Sequence, residues 1–308
     1  MNELVTIVIT TYGRPHRLKF ALDSAIKQTY KPIEIVVVDD NNPSSEGRAE
    51  TERLVASYKD VVYVKNKMNI GGALSRNQGI RRARGRFIAF LDDDDEYMPT
   101  KVQRQYDAFQ RHRKDNVGLI YCYYLRKNYK GIVIGECKRD YEGRPIYEHM
   151  ASCIAETSLW FASKEALVKS GYFTDTPNKQ DSIMLLKLLT QGYTVYRVPE
   201  FLVYYYEHNE GRISGTKNTN ITGCINYRDL CRMHYGKLDS RIHANIIECK
   251  FSKDLISLYV LNDRMDDAKN ELKNIIRHKP FSRYLIISIP KVAFPYLYKK
   301  LIHRKRYQ

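Results

Sequence analysis

Two apolar runs in the first hundred residues stop abruptly on aspartates. Residues 33–38 run into Asp39-Asp40, and residues 87–91 run into Asp92-Asp93-Asp94-Asp95. Residues 4–10 and 61–64 have the same uninterrupted, β-branched character. A strand wet on one side alternates polar and apolar residues, whereas a strand covered on both faces does not. Between the runs lie stretches at helical spacing: Leu18, Leu22, Ala25 and Ile26, then Leu54 and Val55, then Leu74, Ile80 and Ala83 behind Gly71-Gly72. Strands and helices alternating in this way predict a parallel sheet with helices on both faces. Ligands of such sheets bind at the carboxyl ends of the strands, where both acidic clusters fall.

Beyond residue 100 the pattern loosens. Pro99 leads into a helix carrying Val102, Tyr106 and Phe109, and residues 118–125 and 132–136 flank Lys130-Gly131 as a hairpin. Residues 163–169 and 181–191 read as helices stopped by Gly171 and Gly192, and 194–198 and 201–206 as strands. After about Gly215 the periodicity is helical, over 225–235, 241–261 and 266–276. The expected organisation is a first domain over 1–215, with halves 1–100 and 101–215, and a helical C-terminal region over 216–308.

Composition narrows the class. A mean hydropathy of −0.51, with no run of about 18 apolar residues, excludes a polytopic membrane protein. Six cysteines without a CxxC pair, and an N-terminus without a basic leader, fit the cytosol better than an oxidising compartment. The net charge of +16 calls for a polyanionic neighbour. Ten Lys and Arg residues, and no Asp or Glu, lie between Leu272 and Gln308. Residues 284–298 in that stretch are mostly apolar, edged by tyrosines and broken by Pro290 and Pro295. That pattern predicts a segment lying in the interface of an anionic membrane, not one continuous helix crossing it. Packing of the same apolar residues on the preceding helices is the alternative.

Four adjacent carboxylates repel one another and call for a cation. Hard divalent ions such as Mg²⁺ or Mn²⁺ take carboxylate oxygens and leave positions open for phosphate. A solvated acidic turn is the plain alternative. Asp39 and Asp40 suit a base edge, a ribose or a turn cap. In the segment Thr10 to Pro15, Tyr12 offers a face for a base and Arg14 a charge for phosphate, although neither GxxxxGK[ST] nor GxGxxG occurs. Gly71-Gly72 before a helix suits a phosphate or a tight turn.

As a set these segments have a recognisable order. TIVITTYGRP, EIVVVDDNNP and NIGGALSRNQGIRRARGRFIAFLDDDDEYMP, which span residues 4 to 100, resemble the family 2 inverting glycosyltransferases of the GT-A fold, in their bacterial surface-polysaccharide type. The resemblance implies a GT-A-like, Rossmann-related mixed sheet flanked by helices, followed by a helical C-terminal extension. It implies a nucleotide-sugar donor, UDP-linked, with Mn²⁺ or Mg²⁺ as cofactor. Thr11, Tyr12 and Arg14 would line the nucleotide pocket. Asp40, before Asp39, would contact uracil or ribose, and Arg76 would lie near the donor phosphates. Asp92, Asp93 and Asp94 occupy the family's DxD position, with Asp94 on the metal and Asp92 on ribose or a metal-bound water.

The likeness continues over Gly171-Tyr172-Phe173, Asn178-Lys179-Gln180-Asp181-Ser182 and LLKLLTQGY. Gln180 departs from the family's acidic pair, and Asp181 keeps the place of the general base; a helix N-cap is its other reading. His208 matches a metal-ligating histidine of some relatives, or is a loop histidine. Glu156, Ser158 and Trp160 fall where relatives shape the acceptor pocket, and Trp160 equally suits a core. The implied activity is sugar transfer to a hydroxyl of a glycan or lipid-linked acceptor in cell-surface polysaccharide synthesis. The enzyme would be cytoplasmic and peripheral at the inner face of the cell membrane, through the 272–308 tail. Two rivals remain: a non-catalytic nucleotide-sugar-binding relative, and a basic nucleic-acid-binding protein suggested by the charge and the 25 tyrosines. Acidic strand ends argue against a nucleic-acid partner.

Overall fold

Which residues become strands follows from what covers them. The computed structural model describes residues 2–207 and 218–306. The chain divides into two units, one of Met1–Pro145, Cys153–Asp175 and Met184–His208, the other of Ile146–Ser152, Thr176–Ile183 and Asn209–Gln308.

The first unit opens with β1 (Val5–Thr11), α1 (Pro15–Ile26), β2 (Ile33–Asp39), α2 (Glu46–Ala56), β3 (Val61–Lys65), α3 (Gly72–Arg82) and β4 (Phe87–Asp92). These four strands pair in parallel in the order β3-β2-β1-β4. β1, β2 and β4 are buried almost end to end, which is why their sequences do not alternate. The register sets Thr11 opposite Asp39 and Thr10 opposite Asp92, so the loops after β1, β2 and β4 leave from one edge.

The sheet then changes direction. It continues through β5 (Glu96–Tyr97), α4 (Lys101–Arg111), β6 (Val117–Lys127), β7 (Val133–Cys137), β8 (Phe161–Ser163), α6 (Lys164–Lys169) and β9 (Thr194–Tyr206), while α5 (Ile146–Ala151) is counted with the second unit. β8 lies antiparallel between β4 and β6, and β6 runs parallel to β9. The full order is β3-β2-β1-β4-β8-β6-β9-β5, with β7 paired to β6. This is the mixed sheet that the family resemblance implies, with the parallel part confined to β1–β4 and the β6–β9 pair. Residues 194–198 and 201–206 prove to be one strand: Val198 pairs with Cys122 and Phe201 with Tyr123, leaving Pro199 and Glu200 as a bulge. Phe87, Phe109 and Phe161 pack ring on ring beneath the centre, with centroids 4.6 to 5.0 Å from Phe87.

The second unit is helical. α7 (Gln180–Thr190) begins in it, followed by α8 (Asn218–Met233), α9 (Arg241–Leu261), α10 (Met265–His278), α11 (Arg283–Ala293) and α12 (Pro295–Arg306). Ser240 caps α9 by accepting from His243 N. Ile247, Phe251, Leu255, Ile256 and Val260 of α9 are buried, and α8, α10 and α11 pack against it. The apolar stretch 284–298 breaks once, before Pro295. Pro290 does not end a helix; it is accommodated inside α11. No helix among the described residues is long and apolar enough to cross a membrane.

Candidate active site

The loop after β1 folds back onto the acidic run. Thr11 Oγ1 donates to Asp93 at 2.7 Å and Tyr12 N to the same carboxylate at 3.2 Å. The Arg14 guanidinium bridges Asp93, at 2.6 Å, and Asp94. Asp95 accepts from Ser158 Oγ at 2.6 Å and from Tyr206 N at 3.2 Å. Asp93 and Asp95 therefore point inward, and Asp92 and Asp94 outward, with side chains 31% and 20% exposed. Burial pushes Asp93 up to about 7 against the pull of Arg14, and holds Asp95 well above the ordinary carboxylate range. Asp94 is raised first by burial and further by the Asp92 charge, with Arg14 opposing. The oxygens of Asp93 thus hold the β1 loop against the acidic run. Tyr12, 53% exposed, presents an open ring beside the motif.

The Gly-rich segment is organised by Asp40. Gly71 has a φ of +85°, the left-handed region that favours glycine. The Asp40 carboxylate accepts from Ile70 N, Gly71 N and Asn66 Nδ2, each at 2.8 Å, and Asp40 is 4% exposed. Asp39 is buried under Arg48, Tyr63 and Asn41. Both carboxylates close the loops after β2 and β3 at the strand edge where the sequence places a base or ribose contact. In α3, Arg76 donates to Asp92 at 2.6 Å. Asn77 exchanges two hydrogen bonds with the Phe173 backbone, at 2.8 and 2.9 Å. Gly79 lies against Val8, where a Cβ would come within 2.2 Å of Cγ1. The Arg-Asn-x-Gly spacing thus reaches the acidic edge, the Phe173 loop and β1 in turn.

The segment after Glu156 is clamped to the motif. Thr157–Leu159 form a 3₁₀ turn in which Ser158 Oγ accepts from Asp92 N at 3.2 Å. From below, Lys101 Nζ donates to Trp160 O at 2.9 Å and Gln105 Nε2 to Leu159 O at 2.8 Å, both side chains fully buried. Glu156 keeps partial exposure, 3.9 Å from Arg139. Trp160 has none: its indole N–H donates to Ala155 O and its ring stacks on Phe173. It is a core residue, which corrects its expected place against an acceptor sugar. Sequence reasoning passed over Lys101 and Gln105, although their i, i+4 spacing on the apolar face of α4 was the available signal.

Asp181 stands in the second unit, in the first turn of α7, and accepts from Ser182 N at 2.7 Å. The helix begins one residue earlier, so Asp181 is not the N-cap. His208 lies outside the described residues. Among these residues, no group of three His, Cys, Asp or Glu side chains is arranged to hold an ion. Magnesium at nucleotide sites is bound through one or two carboxylates with the rest supplied by phosphates and water. The outward, partly exposed Asp94 beside Asp92 fits an ion brought in that way.

Comparison with known proteins places these features. The family described as glycosyl transferase family 2 matches residues 6–164. An uncharacterized glycosyltransferase of Haemophilus influenzae is 29% identical over 301 residues, covering 94% of this chain and 97% of that one. The UDP-Glc:alpha-D-GlcNAc-diphosphoundecaprenol beta-1,3-glucosyltransferase of Escherichia coli is 27% identical over 248 residues, 76% of this chain and 92% of that one. The structure of S. aureus TarS 1-349 with UDP-GlcNAc superposes with a TM-score of 0.65 at 14% identity, covering 98% of this chain and 92% of that chain. The last shows a shared GT-A-type fold.

Proposed function

This chain belongs to glycosyl transferase family 2 and is a glycosyltransferase, and from that premise we propose that it moves a sugar from a UDP-linked donor to a hydroxyl of a glycan or lipid-linked acceptor, with inversion, in cell-surface polysaccharide synthesis. The observation that carries the reading is the acidic run at the carboxyl edge of the parallel strands. It turns two carboxylates outward and keeps two inward, beside the exposed ring of Tyr12. The UDP donor is supported by the UDP-Glc in the name of the E. coli relative and the UDP-GlcNAc held by TarS. The lipid-linked acceptor is supported by the diphosphoundecaprenol in the former name.

In this reading Asp94, with Asp92 beside it, would hold Mn²⁺ or Mg²⁺ at the donor site. The ion supplies positive charge against the charge that grows on the departing nucleoside diphosphate. Tyr12 stacks on the base. Arg76 holds Asp92 in place and Arg14 steadies Asp93 and Asp94. Glu156 faces the acceptor. Asp181 takes the proton of the attacking hydroxyl. The new bond forms between that oxygen and the anomeric carbon, on the face opposite the bond to the diphosphate, which breaks. General-base assistance of this kind contributes roughly 10²–10⁴-fold. The work is done peripherally at the inner face of the cell membrane, where a lipid-linked acceptor is reached.

The test is UDP release by the purified chain across a panel of UDP-sugars, with Mn²⁺ or Mg²⁺ and with EDTA. Metal-dependent release with one or a few donors is expected. Release from none of them, or equal release in EDTA, rules the reading out.

A further inference from the structure

α11 leaves large apolar side chains facing water. Its inward side carries fully buried Ser288, and Lys291, whose ammonium donates to Ser257 Oγ of α9 at 2.7 Å. Its outward side carries Ile286, 73% exposed, and Ile289, also exposed. The outward side of a water-facing helix is ordinarily polar. Phe281 before it, and Phe294, Leu297 and Leu301 after it, are exposed as well. Large apolar side chains exposed in such number along one stretch of chain mark an interaction site.

Charge selects the occupant. Arg283 of α11 and Lys300 of α12 are exposed, as are Lys273 and Arg277 of α10 and Lys279 after it, and no Asp or Glu follows Glu271. A second copy in two-fold contact would set these cations against themselves, because such an interface pairs a patch with its own image. An anionic lipid surface meets both features: isoleucine, leucine and phenylalanine enter the acyl boundary while lysine and arginine meet headgroup phosphates. We propose that the outward face of α11 and α12, with the cations from Lys273 to Arg283, docks this chain flat on an anionic bilayer. The inference deepens the reading of a lipid-linked acceptor by naming the surface that reaches it. Its readout needs no sugar transfer, so each can fail alone.

Flotation of the full chain with vesicles decides. With equal parts phosphatidylglycerol and phosphatidylcholine the chain rises; with phosphatidylcholine alone it does not. Ile286→Asn with Ile289→Asn, and separately Lys279→Gln with Arg283→Gln, lower the partition about tenfold or more, while UDP release and thermal melting stay as in the parent. The chain has one tryptophan, which is buried, so Ile286→Trp adds a local reporter whose emission shifts to the blue on the anionic vesicles. No flotation on those vesicles, undiminished flotation of both variants, or an unshifted Ile286→Trp emission overturns the proposal. So does a dimer, seen by light scattering, that the isoleucine variant dissociates.

Discussion

Asp94 and Asp93 are neighbours with the same chemistry and opposite situations. Asp94 has solvent on one side; Asp93 is enclosed by Thr11, Tyr12 and Arg14. Asp94→Asn keeps the shape of the side chain and leaves the Arg14–Asp93 pair intact. It is expected to cut UDP release at least about 10²-fold, on the scale of losing one electrostatic contact in a transition state, with little change in melting temperature. Full activity in this variant would remove Asp94 from the mechanism. Asp181→Asn should lower kcat by about 10²–10⁴-fold and leave donor affinity near its parent value, the pattern of a lost base; a loss confined to thermal stability would make Asp181 a helix-start residue. The residue types and spacing of the acidic edge were legible in the sequence. Their direction was not: a carboxylate at a strand end reads the same whether it opens to a ligand or, like Asp40, closes a loop around Gly71. Trp160 shows the same gap, since a lone aromatic carries no mark of which side of the sheet it fills.

At the scale of elements, the strands and helices up to β4 were readable because burial on both faces leaves an unbroken apolar pattern. β5 and β8 were not, because two and three residues are too few to carry a period. The fit between elements is tested at Gly79. Gly79→Ala drives a methyl into Val8 and should lever α3 off β1, costing roughly 1–3 kcal/mol and displacing Arg76. A melting temperature equal to the parent's would mean that α3 and β1 are not closely packed. A second test lies in α4, where Lys101 is wholly buried beneath the Trp160 carbonyl. Burial lowers its pKa from 10.5 to about 7. Between these values the folded chain binds fewer protons at this site than the unfolded chain, so its contribution raises stability with increasing pH. Below pH 7 both forms are charged and the full cost of the buried ammonium remains. Lys101→Met should therefore flatten the rise of the urea midpoint across that window. Parallel curves for parent and variant would show that Lys101 stays charged when folded.

At the scale of the whole molecule, the chain carries a charge of +16, and its last stretch, residues 272–308, holds ten Lys and Arg and no Asp or Glu. The sequence showed this as an acid-free tail; it did not show that Pro290 lies within a helix, or that Ser288 and Lys291 face inward and the isoleucines outward. That depends on which side of α11 meets α9, which periodicity alone leaves open. The proposed donor and the proposed lipid-linked acceptor differ in where the protein meets them. The donor is soluble, so its hydrolysis depends only on the site around Asp94. On the docking proposed above, a lipid-linked acceptor is met on the bilayer, so transfer depends also on attachment by lysine and arginine. Those attractions fall off over a Debye length, about 8 Å at 0.15 M salt and about 3 Å at 1 M. Raising the salt to about 1 M should therefore release the chain from phosphatidylglycerol vesicles and depress transfer to a vesicle-borne acceptor severalfold, while donor hydrolysis in the same tubes changes little. If both rates fall together, salt acts on the catalytic site itself; if neither falls, the tail's cations do not hold the enzyme to its acceptor.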